Sequence, residues 1–286
     1  MSYTNGLDNP ELYFQTKLFT GTGSSNAVTL DGSENMQPDW VWIKRRNSAG
    51  GNMTTDVIRG VTKTLITNEN SAEQTFSNGL TAFGSDGFTV GSEDGFNGSS
   101  DTFVAWNWKA GGSASSNGDG DITSSVSANT TAGFSIVSYT GNGSATQTIG
   151  HGLGAVPKVM IFKRRNSTSD WIVYHVSRGA TKYIPLNSTN TGGTYEPYFA
   201  NTEPTSSVFT VDTAGDINGS SDTFISYLFS EIKGYSKFSS YVGNGSSDGP
   251  FIFTGFRPAW VLYRNTTTSD SWFIHDNRRQ GFNDDN

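Results

Sequence analysis

The sequence contains no cysteine and is poor in proline, methionine and charged residues. Its 286 residues include 8 Pro and 4 Met, and only 16% of them are charged. The absence of cysteine excludes disulfide bonds, zinc–thiolate sites and thiol nucleophiles. No apolar run approaches the roughly 20 residues that cross a bilayer, and no basic leader precedes an apolar segment at the start. We therefore expect a soluble protein with no signal peptide and no membrane insertion.

Glycine and aromatic residues are abundant instead. The chain has 34 Gly, is 13% aromatic and carries a net charge of −7. Runs of β-branched and aromatic residues between Gly, Asn and Ser turns predict an all-β protein. The acidic total disfavours nucleic acid as a partner. Since no P-loop, dinucleotide fingerprint or zinc motif occurs, no cofactor is predicted.

One block of 23 residues is written three times, which identifies an internal duplication. The copies are Gln37–Arg59, Val156–Arg178 and Arg257–Arg279, offset by 119 and 101 residues. Each copy has a proline, an apolar strand, one cation, a polar residue and a closing arginine. In chain order, the recurring positions are the cations Lys44, Lys163 and Arg264, the polar residues Asp56, His175 and Asp276, and the arginines Arg59, Arg178 and Arg279.

A second motif, NGSSDTF, closes the first two repeats. It occurs letter for letter at Asn97–Phe103 and Asn218–Phe224 but has no third copy. The segment that follows Asp101 alternates, with Phe103, Ala105 and Asn107 on one face and Val104, Trp106 and Trp108 on the other. Apolar residues on both faces predict a central strand of a sandwich.

These patterns predict tandem antiparallel β-sandwiches, jelly-roll-like, whose third repeat is incomplete. The expected organisation is an N-terminal arm (1–12), a first sandwich (13–110), a flexible Ser/Gly-rich linker (111–131), a second sandwich (132–236) and half of a third (237–286). Half a sandwich leaves strand edges open. Either the natural chain is longer, which we favour, or another subunit supplies the missing strands.

The recurring arginines suit a carboxylate or backbone carbonyls, so we expect one structural pair per repeat with the residue three positions earlier. Binding of an anionic glycan is the functional alternative. The basic triplets 44–46 and 163–165 end a strand. They are interpreted as solvated strand ends that pair with acidic residues of the next domain or subunit.

Weaker candidates come from loops and aromatic residues. Asn117, Asp119 and Asp121 have the oxygen spacing of a calcium loop without its terminal Glu, and Asp94 and Asp101 form a similar weak candidate. A linker turn is favoured over calcium. The seven tryptophans could include a sugar-stacking platform, but core packing is preferred. His151 lies in a Gly-flanked turn and is expected to form hydrogen bonds only with neighbouring residues.

Five segments resemble structural proteins of marine tailed phages, which are described as tail-fibre-like with concanavalin-like or jelly-roll repeats. These are residues 3–15 (YTNGLDNPELYFQ), 101–112 (DTFVAWNWKAGG), 134–144 (FSIVSYTGNGS), 149–165 (IGHGLGAVPKVMIFKRR) and 231–262 (EIKGYSKFSSYVGNGSSDGPFIFTGFRPAWVL).

The resemblance implies a non-enzymatic virion component, with a tail fibre or adhesin for host attachment as the preferred role. A capsid decoration protein and a glycan-active tailspike enzyme are the alternatives. The expected partners are other virion proteins, further copies of the chain with a trimer favoured, and a host-surface glycan.

Overall fold

The computed structural model describes residue 7 and residues 9–279, and almost all of its regular structure is antiparallel β. The strands are β1 (Phe14–Thr20), β2 (Asn26–Thr29), β3 (Trp40–Arg45), β4 (Asn52–Asp56), β5 (Lys63–Ile66), β6 (Gln74–Thr75), β7 (Leu80–Gly84), β8 (Gly87–Val90), β9 (Thr102–Trp108), β10 (Ser115–Asn117), β11 (Ser124–Asn129), β12 (Phe134–Thr140), β13 (Gln147–Gly150), β14 (Pro157–Arg164), β15 (Ile172–His175), β16 (Lys182–Pro185), β17 (Gly193–Thr194), β18 (Val208–Val211), β19 (Thr223–Ser230), β20 (Trp260–Arg264) and β21 (Trp272–Asp276). Two short helices, α1 (Asp94–Asn97) and α2 (Gly215–Asn218), precede β9 and β19, and a 3-10 turn spans Pro10–Leu12.

The first repeat is a two-layer sandwich with unequal sheets. Its large sheet has the order β1-β9-β3-β4-β5-β6, and its small sheet has the order β2-β8-β7. One face of the large sheet packs on the small sheet through a core that includes Ile43, Phe88 and Phe103. The predicted alternation of β9 is confirmed, because Phe103 and Ala105 belong to this core while Val104 and Trp106 face the opposite side.

The second repeat has the same plan. Its large sheet runs β10-β11-β12-β19-β14-β15-β16-β17, and β13 pairs with β18 to form the small layer. Phe162, Phe209 and Phe224 are fully buried between the two layers. The structure thus has the predicted all-β sandwich architecture, built twice.

The segment predicted to be a flexible linker is largely part of the second sandwich. It contains β10 and β11, and β11 pairs with β12 along six residues. Val126 is buried, and the Ser127 hydroxyl donates to the Gly112 carbonyl at 2.7 Å. Serine, which suggested flexibility by composition, is compatible with a strand here because its hydroxyl can satisfy neighbouring backbone groups.

The two ends of the chain have little regular structure among the described residues. Of the predicted N-terminal arm, residues 1–6 and 8 lie outside the described residues. Residues 9–12 lie along the first sandwich, where Glu11 Oε2 accepts from the Ser33 amide at 2.7 Å. In the third repeat, the described residues form one sheet, the hairpin of β20 and β21.

The three repeats share one apolar core. The second face of the first large sheet packs on the second face of the other large sheet, with Trp40 and Trp106 on one side and Ile161 and Tyr227 on the other. Trp260 of the third repeat packs against the same cluster. The Trp40 and Tyr227 rings stack with centroids 4.2 Å apart. The repeats therefore form one interlocked body rather than separate domains on a string.

Candidate functional site

The buried ion pair of the first repeat is completed by the second repeat. Asp56 Oδ2 accepts from Arg59 Nε at 2.5 Å, and both side chains are inaccessible to solvent. The Tyr227 hydroxyl donates to the same oxygen at 2.7 Å. Burial raises the pKa of Tyr227 well above 10, so this proton is retained at neutral pH. Arg59 lies in the predicted structural pair, and its burial leaves no surface for an anionic glycan.

The pair of the third repeat is completed by the first. Arg279 Nε donates to Asp276 Oδ2 at 2.5 Å. The Trp106 indole donates to that oxygen at 3.1 Å, and the Arg279 guanidinium lies 5.0 Å from a Trp106 ring centroid. Trp106 and Tyr227 occupy equivalent positions, each five residues after the Asp of its NGSSD motif. The first repeat thus contacts the third as the second contacts the first.

The second repeat does not have the predicted pair. His175 Nδ1 accepts from the amide of Ser177 at 3.1 Å, and Arg178 Nε is a buried donor without a hydrogen-bond partner among the described residues. Burial, with the Arg178 cation beside it, lowers the pKa of His175. An imidazole that is neutral near pH 7 cannot replace the carboxylate of Asp56 or Asp276 as a counter-ion, which explains why the expected His175–Arg178 pair does not form.

The basic triplets were interpreted as solvated strand ends, and this interpretation is wrong for Lys163. Its side chain is fully buried, and its Nζ donates to the Ser169 carbonyl and, at 3.0 Å, to the Asn70 carbonyl of the first repeat. Burial lowers the pKa of Lys163 to about 8, although Asp170 and Asp216 oppose the shift. The equivalent Lys44 remains half-buried and donates to Gly50 at 3.0 Å.

Three of the four triplet arginines pair with carboxylates. Arg165 binds Glu73 of the first repeat with two hydrogen bonds, at 2.9 and 3.1 Å, so its partner lies in the preceding domain and not in the next one as expected. Arg45 and its equivalent Arg164 instead pair within their own repeats, each with its Nε 3.2 Å from a motif aspartate, Asp101 or Asp222.

A second set of contacts repeats with the same offsets. The Trp171 indole donates to the Ile66 carbonyl of the first repeat at 3.0 Å. The equivalent Trp272 donates to the Pro185 carbonyl of the second repeat at 2.9 Å. Arg264 also donates to the Pro185 carbonyl, at 2.6 Å. Each repeat therefore docks on the preceding one, and Trp106 returns from the first repeat to the third, so the order of contacts is cyclic.

The NGSSDTF motif supplies two buried asparagines that sequence reasoning did not single out. The Asn97 carboxamide accepts from the Thr22 amide at 2.9 Å and donates to the Gly91 carbonyl at 2.7 Å. Asn218 accepts from the Asn142 amide at 3.0 Å and donates to the Ser144 carbonyl at 2.9 Å. Because the motif is identical in both repeats, the sequence did carry a signal for this role. In each repeat the asparagine joins the loop after the opening strand to the segment before the closing strand.

The calcium candidates do not converge on a cation site. Asp121 Oδ2 accepts from both the amide and the hydroxyl of Thr148, at 3.0 and 2.7 Å, and Asp119 accepts from the Asn117 carboxamide at 2.9 Å. Asp101 is held by Arg45. Among the residues that the structure describes, no group of three or more His, Asp or Glu side chains could hold a metal ion.

Two further sequence expectations concern His151 and the tryptophans. His151 is fully buried, and it accepts from the Leu153 amide at 3.2 Å and contacts the distant Thr205 carbonyl at 3.2 Å, so its bonding is not only local. Five tryptophans are buried in the core as preferred, whereas those in the third repeat, Trp260 and Trp272, are half-buried.

A large apolar groove lies where the cyclic order is left open. Its volume is about 790 Å³, and it runs between residues 241–263 of the third repeat and the large sheet of the second. Val159, Ile161 and His175 line the wall of the second repeat, and Trp40 and Trp260 lie at the other sides. An aromatic groove of this size can receive either a small ligand or a polypeptide strand.

Comparison with known families gives one match. The model of a domain of unknown function, DUF7483, matches residues 9–286. Neither the curated proteins nor the solved structures gave a match. No helix in the described part of the chain is long and apolar enough to cross a membrane.

Proposed function

Since the chain belongs to the DUF7483 family, whose description names no activity, we propose from its architecture that it is a non-enzymatic structural protein of a bacteriophage virion. Within the virion, we assign it to the tail-fibre or adhesin class, with host-surface attachment as its role. Its partners in this proposal are other virion proteins and a host-surface glycan.

The observation that carries the proposal is the interlocking of the repeats through buried polar groups. Three side chains that could serve chemistry elsewhere, Asp56, Arg59 and Lys163, are fully buried and saturated by contacts with protein groups. These contacts join the repeats and leave none of the three charged groups on the surface. A rigid assembly of short β-strands suits a particle component that must persist outside a cell.

The resemblance of five segments to tail-fibre-like virion proteins supports the same class. Attachment would then fall to the loops between strands, because loops on a rigid scaffold vary without disturbing its core. The segments 22–25 and 142–147 are exposed or half-exposed, and the buried Asn97 and Asn218 anchor them from below.

Labelling of intact virions tests the location. Gold-conjugated antibodies raised against the purified protein should decorate tails in electron micrographs of the phage that carries it. Decoration of heads would support a capsid role, and unlabelled particles, together with the absence of the protein from virion digests, would overturn the proposal.

A cell-binding measurement tests the attachment role. The fluorescently labelled protein should bind intact host cells saturably, and periodate oxidation of the cell-surface glycans should abolish that binding. Release of soluble sugar fragments from the same cells would contradict a non-enzymatic role. Binding that is unchanged by periodate would refute the proposal that the protein binds a host-surface glycan.

A further inference from the structure

The strand that closes each complete repeat is central in its sheet. In the first repeat β9 lies between the opening strand β1 and β3, and in the second β19 lies between β12 and β14. The closing strand therefore pairs on both sides, and its face toward the shared core carries a β-branched residue followed by two aromatics. These residues are Val104, Trp106 and Trp108 in β9, and Ile225, Tyr227 and Phe229 in β19.

In the described part of the third repeat, β20 corresponds to one neighbour of such a strand, and no closing strand pairs with it. β20 is equivalent to β3 and β14, yet it pairs only with β21. Residues 238–242, which align with the second half of β12 through the shared Gly-Asn-Gly that follows, have no strand structure. Val261 is 40% exposed where the equivalent Val41 is 1% exposed, and Tyr241 is 53% exposed where the equivalent Tyr139 is 4% exposed. An unpaired strand edge beside exposed apolar side chains is the arrangement to which a further strand adds.

The cyclic contacts predict what the missing strand would reach. Tyr227 of the second repeat bonds Asp56 of the first, and Trp106 of the first bonds Asp276 of the third. By the same order, the middle aromatic of a third closing strand falls on the remaining member of the set, His175 with Arg178. The groove lies there, lined by His175 and Val159.

We propose that this groove is the binding site for an added β-strand of the β9 and β19 type, in which a β-branched residue is followed at alternate positions by two aromatic residues. The registers of β9 on β3 and of β19 on β14 fix its position. Its β-branched residue lies opposite Arg264, its middle aromatic opposite Leu262, and its last aromatic opposite Trp260. This proposal does not depend on the proposed function.

A second copy of the chain cannot provide this strand without unfolding. β9 and β19 are each bonded to strands on both sides, so neither is free to enter a neighbouring molecule.

A fusion protein tests the proposal. The 13 residues Asn218–Ser230 are appended to Asn286 through a flexible Gly/Ser linker. A linker of about 36 residues has a root-mean-square span of roughly 30–36 Å and gives a local concentration near the millimolar range. The matched control carries the same 13 residues shuffled so that apolar and polar positions do not alternate. Backbone hydrogen exchange of Trp260–Arg264 and of residues 238–242 is measured by mass spectrometry in both proteins.

We expect the β19-type fusion to slow exchange in both segments by at least about tenfold and the shuffled fusion to leave it unchanged. Replacing the fused copy of Tyr227 by Ala should remove most of the protection. The free peptide added in trans should slow exchange at the same amides, which provides a measurement independent of the linker.

Three results would overturn the proposal. The first is equal protection by the shuffled strand. The second is unaltered exchange with both the fusion and the free peptide. The third is protection of the same segments in the unfused chain that rises with protein concentration, because that would identify a second copy as the occupant.

Discussion

Replacement of Asp56 by Asn tests the interlock between the first two repeats. The substitution keeps the shape of the side chain but removes the charge that faces the Arg59 guanidinium at 2.5 Å. Arg59 would retain its bond to the Thr54 carbonyl at 2.9 Å and a longer ion pair with Glu73 at 3.5 Å. Breaking a fully buried pair by removing one partner costs about 3–5 kcal/mol. We expect the free energy of unfolding in urea to fall by that amount.

A double-mutant cycle separates the contribution made across repeats. Tyr227→Phe removes a hydroxyl that donates to Asp56 at 2.7 Å and accepts from Arg59 at 3.2 Å. Hydrogen bonds to charged groups contribute about 1.5–3 kcal/mol, so this variant should lose roughly that amount. Since both substitutions disrupt the same network, the double variant should lose about 1–2 kcal/mol less than the sum of the single losses.

The third repeat provides the matched control. Asp276→Asn makes the same chemical change beside Arg279, whose side chain is 24% exposed where that of Arg59 is 0% exposed. Water can solvate the unpaired Arg279, so we expect a smaller loss than for Asp56→Asn. A loss below about 1 kcal/mol for Asp56→Asn, or full additivity with Tyr227→Phe, would refute the argument that these repeats are locked by a buried ion pair.

Three further predictions follow from single sites. Because Lys163 holds its proton less tightly when folded, with a pKa of about 8 against 10.5, the unfolded chain binds the extra proton between those values and the free energy of unfolding should rise with pH there. Urea titrations should show a rise of about 1.5 kcal/mol from pH 8 to 9.5 that Lys163→Met loses and the half-buried control Lys44→Met retains. Asn218→Ala, which removes three hydrogen bonds from a buried carboxamide to the backbone, should lower the free energy of unfolding by about 2–3 kcal/mol, whereas Asn166→Ala on the exposed loop should cost under about 1 kcal/mol in the same assay. Trp106→Phe should speed hydrogen exchange in β20 and β21 while leaving β12 unchanged, because its indole bonds only the third repeat.

Much of the fold followed from local pattern. The apolar strand expected after the proline of each copy is β3, β14 or β20, and the alternating segment after Asp101 is β9. Each combines β-branched or aromatic residues with clear turn signals at its ends. The strands that were missed, among them β2, β10 and β11, are rich in Ser, Thr and Asn. Their pairing depends on neighbours distant in sequence, which local propensity does not report.

The candidate site was harder to predict because its contacts cross repeats. The sequence identified Asp56 and Arg59 as partners, but not Tyr227, which lies 168 residues after Arg59. It also suggested a solvated Lys163, since a cation at a strand end is usually exposed. That lysine is buried because the loop around Asn70 of the first repeat covers it. Neither contact can be inferred from the sequence of one repeat considered alone.

Comparison of the repeats with one another recovers part of what local reasoning missed. The cyclic order rests on pairs of hydrogen bonds separated by the sequence offsets, such as Trp171 to Ile66 and Trp272 to Pro185. A contact between repeats that is reproduced at the next offset reflects the plan of the assembly. One that is not reproduced marks a position where that plan is interrupted. His175 is such a position, since it occupies the place of Asp56 and Asp276 beside the open groove. The histidine at this position, where the other repeats have aspartate, is therefore best explained by the unpaired edge of the third repeat.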